Sequence, residues 1–167
     1  MTNDKAFSRG SIITVIKHED GRKEIRKTHN LITNDGDLYC TEMLAGETPT
    51  NAFANCVLGT GSTAATKSDT YDSMTPISGS EKAPSSGYPK TNDTDSDNDG
   101  KGADICTWKY EWATGDFNNS AVQEGCITIA SPTTGSKVFN RWVESSAYEK
   151  SSSATLTQYV NIEITGS

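Results

Sequence analysis

Apolar residues are scarce in this chain. Only 33% of its 167 residues are hydrophobic, whereas Ser and Thr together number 41. That excludes a large core, and it excludes a helical bundle, which would need more Leu, Ala and Glu. A single β-rich domain over residues 1–167, with polar outer faces, suits both the length and the composition. No apolar run is long enough to cross a bilayer, so no membrane partner is expected. Residues 1–5 carry no apolar signal segment, and synthesis in a cytoplasm is the expectation. Positive charge is also short: 15 Lys and Arg stand against 22 Asp and Glu, giving a net charge of -7 and a pI near 4.8. Such a chain repels phosphate backbones, and nucleic acid is not an expected partner. Its one basic cluster, from Arg22 and Lys23 to Lys27, is interrupted by Glu24 and reads as a solvated hairpin strand. Histidine is limited to His18 and His29. Neither has a nucleophile and an orienting carboxylate beside it in sequence, which leaves no hydrolytic triad to build. Four cysteines, Cys40, Cys56, Cys106 and Cys126, lack the C-x2-C spacing of a zinc site. Cytosolic synthesis favours free thiols, and oxidation after release from the cell would leave Cys106–Cys126 and Cys40–Cys56 as bridges to consider.

What is present is β-branched and punctuated. Residues 11–17 are dense in Ile, Val and Thr and predict a strand. Asp20 and Gly21 predict a hairpin through a type I′ turn, with residues 22–28 returning. Residues 37–46 predict a short helix on the sheet, with Asp37 as its cap and Gly46 as its stop. A strand is expected over 53–59. Residues 60–104 lack hydrophobic periodicity and predict a long loop or insertion, with a weak extended piece near 71–77. The clearest strand is 105–112, with Cys106, Trp108, Tyr110 and Trp112 on one face. Strands at 121–130, 137–145 and 154–165 follow. In the second of these, Phe139, Arg141 and Val143 are expected opposite Val138 and Trp142. The last alternates Leu156, Val160, Ile162 and Ile164 inward, with Gln158 as the one polar residue on that face. Short strands separated by turns, plus one helix, predict a mainly β fold, an antiparallel β-sandwich or jelly-roll-like domain.

Several constellations invite a chemical reading. Gly61, Lys67 and Ser68 keep the spacing of a phosphate-binding loop, but Thr66 replaces the second glycine and an acidic stretch closed by Pro76 replaces the helix. A strand-to-loop turn explains the glycines better. Asp95, Asp97, Asp99 and Gly100 match the opening positions of an EF-hand-type loop, and Asp104 can serve as a late ligand, so calcium is the one cofactor to consider. A solvated acidic turn is the competing reading, since Cys106 stands where a bidentate Glu belongs. Glu111 and Glu124 are the carboxylates a glycosidase would need, but nothing in the sequence sets them across a cleft. Trp108, Trp112 and Trp142 suggest either a sugar platform or core packing.

Residues His29-Asn-Leu-Ile-Thr-Asn-Asp-Gly36, Leu58-Gly-Thr-Gly-Ser-Thr63 and Ser68-Asp-Thr70 resemble a recurrent pattern in small structural proteins of tailed bacteriophages. The aromatic strand from Trp108 to Trp112, the Glu124-Gly125 step, the Asn140-Arg141 strand and the closing alternating strand are similar to the same group. The chain departs from it where Lys67 and Tyr71 replace a Pro and a Leu-rich run, and in the acidic stretch at 91–104. The resemblance implies a virion protein without catalytic residues. Capsid decoration or cement leads, ahead of a neck or tail accessory. It also implies partners among the major capsid or neck and tail proteins, a homo-oligomer, and synthesis in a host cytoplasm. A glycan- or receptor-binding β-module, using the tryptophans together with calcium, is the alternative of a different class.

Overall fold

The computed structural model describes residues 7–91 and 105–165. In chain order it contains β1 (Phe7–Lys17), β2 (Lys23–Ile32), α1 (Asn34–Leu44), β3 (Asn55–Gly59), β4 (Lys90–Thr91), β5 (Ile105–Trp112), β6 (Asn119–Thr128), β7 (Val138–Lys150) and β8 (Thr155–Thr165). All neighbours pair antiparallel, in the order β3-β6-β7-β2-β1-β8-β5-β4, as one sheet curled into a half-barrel. The expected mainly β class holds. The two facing sheets of a sandwich or jelly roll are not seen among the described residues. The reason lies in β1 and β8, which pair without interruption from Phe7 opposite Thr165 to Lys17 opposite Thr155. That ladder joins the N-terminal hairpin to the C-terminal strands edge to edge, and so keeps all eight strands in one layer.

The concave face holds the core. Ile12 and Ile16 of β1, Trp108, Tyr110 and Trp112 of β5, and Leu156, Val160 and Ile162 of β8 are buried there, as alternation predicts. Each such side chain contributes about 1.5–3 kcal/mol on leaving water. Gln158 sits among them fully buried, and its amide donates to the hydroxyls of Thr14 and Tyr148, each at 3.2 Å. A buried polar side chain is tolerated only when paired in this way.

Local chemistry shifts several boundaries. The hairpin loop runs over 18–22, closed by the His18 amide donating to the Arg22 carbonyl at 2.9 Å. Among these residues only Gly21 takes a positive φ, 82°, so the loop is longer than the expected type I′ turn. The helix begins three residues before the expected Asp37 cap, because the Thr33 hydroxyl accepts from the Gly36 amide at 3.1 Å. Gly36 is required at its position: a Cβ there would lie 2.1 Å from the Phe139 carbonyl oxygen of β7. In β7 the expected faces are partly exchanged. A register shift between Ile127 and Thr128 inserts an extra residue opposite β6. Phe139 and Trp142 therefore both reach the core, whereas Val138 packs with Val57, Met74 and Cys126 in a separate cluster.

Residues 60–91, the described part of the long loop expected over 60–104, fold back on the sheet. Residues 60–76 cover the outer face of β3, β6 and β7, burying Asp69 and Met74. Residues 75–82 then run along the free edge of β3. The amides of Cys56 and Lys82 exchange hydrogen bonds at 2.8 Å, Ile77 donates to Leu58 at 2.8 Å, and the Ser80 hydroxyl both accepts from and donates to the Leu58 backbone. Ser85 next donates to Lys109 of β5 at 2.8 Å, and β4 pairs with the same strand. One strap thus covers both edges of the half-barrel, which blocks edge-to-edge pairing with other chains.

Candidate functional site

The motif residues converge on one place, the buried guanidinium of Arg141. Its side chain is 1% exposed, beneath residues 60–76 on the outer face of β6 and β7. Nε and Nη2 donate to Glu124 Oε2 at 3.1 and 2.7 Å. Nη1 donates to Asp69 Oδ2 at 2.9 Å, and Nη2 also donates to the Thr63 carbonyl at 2.9 Å. The other Glu124 oxygen accepts the amides of Gly61 at 2.8 Å and Thr75 at 2.7 Å. Asp69 in turn accepts from the amide and hydroxyl of Thr66 at 2.9 and 2.6 Å. A Cβ on Gly59 or Gly61 would come within 2.5 Å of the Glu124 carboxylate. Gly61, which echoes a phosphate-binding loop, and Gly59 therefore let backbone close on a carboxylate that the chain itself supplies. Lys67 points elsewhere, pairing at 2.7 Å with Asp37 of α1 on the surface.

This cluster holds a loop down; it leaves no group free for proton transfer. Glu124 is bonded on both oxygens. Burial pushes the Asp69 carboxyl up, but the Thr66 and Arg141 hydrogen bonds and the Arg141 charge outweigh it and leave it below the ordinary carboxylate range. A carboxyl lowered on folding stabilises above its unfolded pKa, and that stability is lost as pH falls through the folded value. The expected result is a melting temperature that drops as pH is taken below about 4, with a smaller drop in Asp69→Asn. Parallel melting curves of the two proteins at several pH values check it; identical acid profiles would remove Asp69 from the cluster's energetics.

The other candidates are scattered or occupied. Glu111 is exposed on the outer face of β5, bonded to Lys109 and Ser85, and four strands of the sheet separate β5 from β6, which carries Glu124. No glycosidase pair forms. His18 lines a surface depression with Ser151 and Ser153, but its buried Nε2 has no hydrogen-bond partner and the two hydroxyls contact each other. His29 faces the Gly10 carbonyl, 3.4 Å from Nδ1. Trp108, Trp112 and Trp142 are all buried, so none offers a sugar platform. The four cysteines are free, and neither expected bridge is present. The calcium candidates Asp95, Asp97, Asp99 and Asp104 lie outside the described residues. Among those described, no three His, Cys, Asp or Glu side chains gather as a metal site.

One feature escaped the sequence reading. A cleft of about 540 Å³ opens between α1 and the end of the half-barrel, lined by Tyr39, Cys40, Met43, Leu44, Ile105 and Trp108 among others. Leu38, Met43 and Leu44 are exposed on the same helix, Leu44 at 82%. Cys40 and Cys106 both border the cleft. Burial raises both thiols, Cys106 to about 11, so they remain protonated and weakly nucleophilic at neutral pH. The sequence places Leu38, Met43 and Leu44 near one face of a helix expected to lie on the sheet; instead only Tyr39 and Cys40 of α1 pack against the core, and those three side chains are turned outward.

The fold and cluster define a mainly β, single-sheet protein with an internally bonded ionic lock and an exposed apolar helix. No family model, curated protein or solved structure matches the chain.

Proposed function

We propose that this chain is a non-enzymatic structural protein of a tailed-bacteriophage particle, of the capsid decoration or cement type. The observation that carries the reading is where the phage-like motif residues go. Gly59, Gly61, Asp69, Glu124 and Arg141 are consumed in one buried lock that fixes residues 60–76 on the sheet. The surface is left with Leu38, Met43 and Leu44 of α1 beside an apolar cleft, and contiguous exposed apolar surface of that kind marks a contact with another protein. In this reading α1 docks on a neighbouring particle subunit. Copies of the chain then stabilise the shell by adding buried area between subunits, an effect that follows mass action rather than the strength of their own core.

Two measurements test it. Reconstruction of the purified particle should show the chain bound outside the shell lattice; density at the neck or tail would move it to the accessory class, and its absence from the particle would end the virion reading. In a binding assay with particles stripped of the chain, Met43→Glu with Leu44→Glu should lower occupancy by about tenfold or more. Its melting temperature should barely change, since both side chains are already exposed. Unchanged occupancy would reject α1 as the docking surface.

A further inference from the structure

We propose that the outer face of β2, β1, β8 and β5 is a second binding surface, and that it takes an acidic segment of a partner polypeptide. Residues 60–76 cover the outer face of the other half of the sheet, whereas none of the described residues covers this half. The registers align Lys27, Ile13, Tyr159 and Lys109 across one row and Ile25, Val15, Thr157 and Glu111 across the next, followed by Lys23 and Lys17. Together they border a depression of about 570 Å³. Lys109 is held by Glu111 at 2.8 Å. Lys17, Lys23 and Lys27 are exposed and make no ion pair among the described residues. In a chain of net charge -7, three lysines with no carboxylate of a described residue within ion-pair distance thus gather around an aliphatic floor, Lys17 acting on Glu111 only at longer range, with Ile25 55% exposed.

Charge complementarity selects the occupant. The surface suits carboxylates flanking apolar side chains, which a polypeptide supplies at the residue spacing of a strand. A nucleic acid would find only Tyr159 to stack on and would be repelled by the rest of the chain. An anionic membrane would need several apolar side chains standing beyond the lysines, whereas Ile25 is the one large hydrophobic of this depression that is exposed and Ile13 is buried in its floor at 8% exposure. The inference deepens the structural reading by giving particle docking a second contact. Its test is run in solution, away from particles, so that the two can fail separately.

The full chain, isotope-labelled, is titrated with the peptide acetyl-Asp-Leu-Glu-Val-Glu-Leu-Asp-amide, with its lysine counterpart, with a short DNA duplex, and with vesicles containing phosphatidylserine. The acidic peptide should shift the amide signals of Val15, Ile25 and Tyr159, and its binding should weaken with salt. In Lys23→Glu with Lys27→Glu, affinity should fall by about tenfold or more while the spectrum elsewhere stays native. The proposal is overturned if the acidic peptide leaves those signals unmoved, if the charge-reversed variant binds it equally well, or if the duplex or the vesicles bind this face more tightly.

Discussion

Replacing Arg141 with Met should destabilise the protein by about 3–5 kcal/mol, the usual consequence of removing one partner from a buried ion pair. The cost arises less from the lost attraction than from what stays behind. Glu124 would remain buried with two amide donors and no cation, and Asp69 would keep its Thr66 bonds but lose the Nη1 contact. In a domain of this size the change corresponds to a fall in melting temperature of roughly 6–20 °C. Urea denaturation of the wild type and the variant measures it. A second variant separates charge from packing: Arg141→Met with Glu124→Gln keeps a hydrogen-bonding side chain for the Gly61 and Thr75 amides but removes the stranded charge. It should recover part of the loss. If Arg141→Met costs less than about 1 kcal/mol, or if the double variant is no better, the cluster is not the lock described. The lock bears on function because residues 60–76 are held to the sheet through it. Hydrogen exchange at the Gly61 and Thr75 amides should accelerate in Arg141→Met before that of the β1–β8 ladder does.

The parts of the fold that were legible in the sequence are those written in local periodicity. Strand β5 shows its Trp108, Tyr110 and Trp112 alternation without help from elsewhere, and β8 does the same with Leu156, Val160 and Ile162. The hairpin is announced by Gly21, and the helix by Gly46, which takes φ 72° just past its end. What was not legible depends on distant partners. Arg141 lies 17 residues from Glu124 and 72 from Asp69, and no local pattern says that these three meet. The extra residue in β7 is invisible for the same reason. It is absorbed opposite Ile127 and Thr128, where the Asn140 side chain accepts the Ile127 amide at 3.1 Å. Residues 60–76 carry almost no hydrophobic rhythm because they are fixed by hydrogen bonds to carboxylates, and such bonds need no period of 2 or 3.6. The motif glycines were visible, but their role was not. Gly125 illustrates this: a Cβ there would lie 2.2 Å from the ring of Trp142, which pairs with it across the ladder. A glycine that makes room for an indole looks, in sequence, like a glycine in any turn.

Trp112→Ala should cost about 3–5 kcal/mol, and the way that cost is distributed tests how the half-barrel is closed. Strands β3 and β5 lie far apart in the order of the sheet, with β6, β7, β2, β1 and β8 between them. Two side chains of β5 nevertheless reach the β3 side across the core. The Trp112 indole donates to the Ser80 carbonyl at 2.8 Å, and the Tyr110 hydroxyl donates to the Ala54 carbonyl at 2.7 Å. Ser80 itself supplies the hydroxyl that satisfies the Leu58 backbone on the free edge of β3. Trp112 thus fills the core, where it packs edge-on against Phe117 at 6.3 Å, and it also clasps the strap to the opposite wall. Trp112→Phe separates the two roles, because it keeps most of the packing and removes the donor. The expected loss is about 1–3 kcal/mol, the penalty for leaving the buried Ser80 carbonyl unpaired. If the clasp closes the curl, Trp112→Phe should speed hydrogen exchange at the Cys56, Ile77 and Lys82 amides along the β3 edge, while amides of the β1–β2 hairpin keep their protection. Uniform acceleration over both regions would mean that Trp112 acts only through packing. No acceleration at Ile77 and Lys82 would mean that the strap is held by its backbone bonds alone.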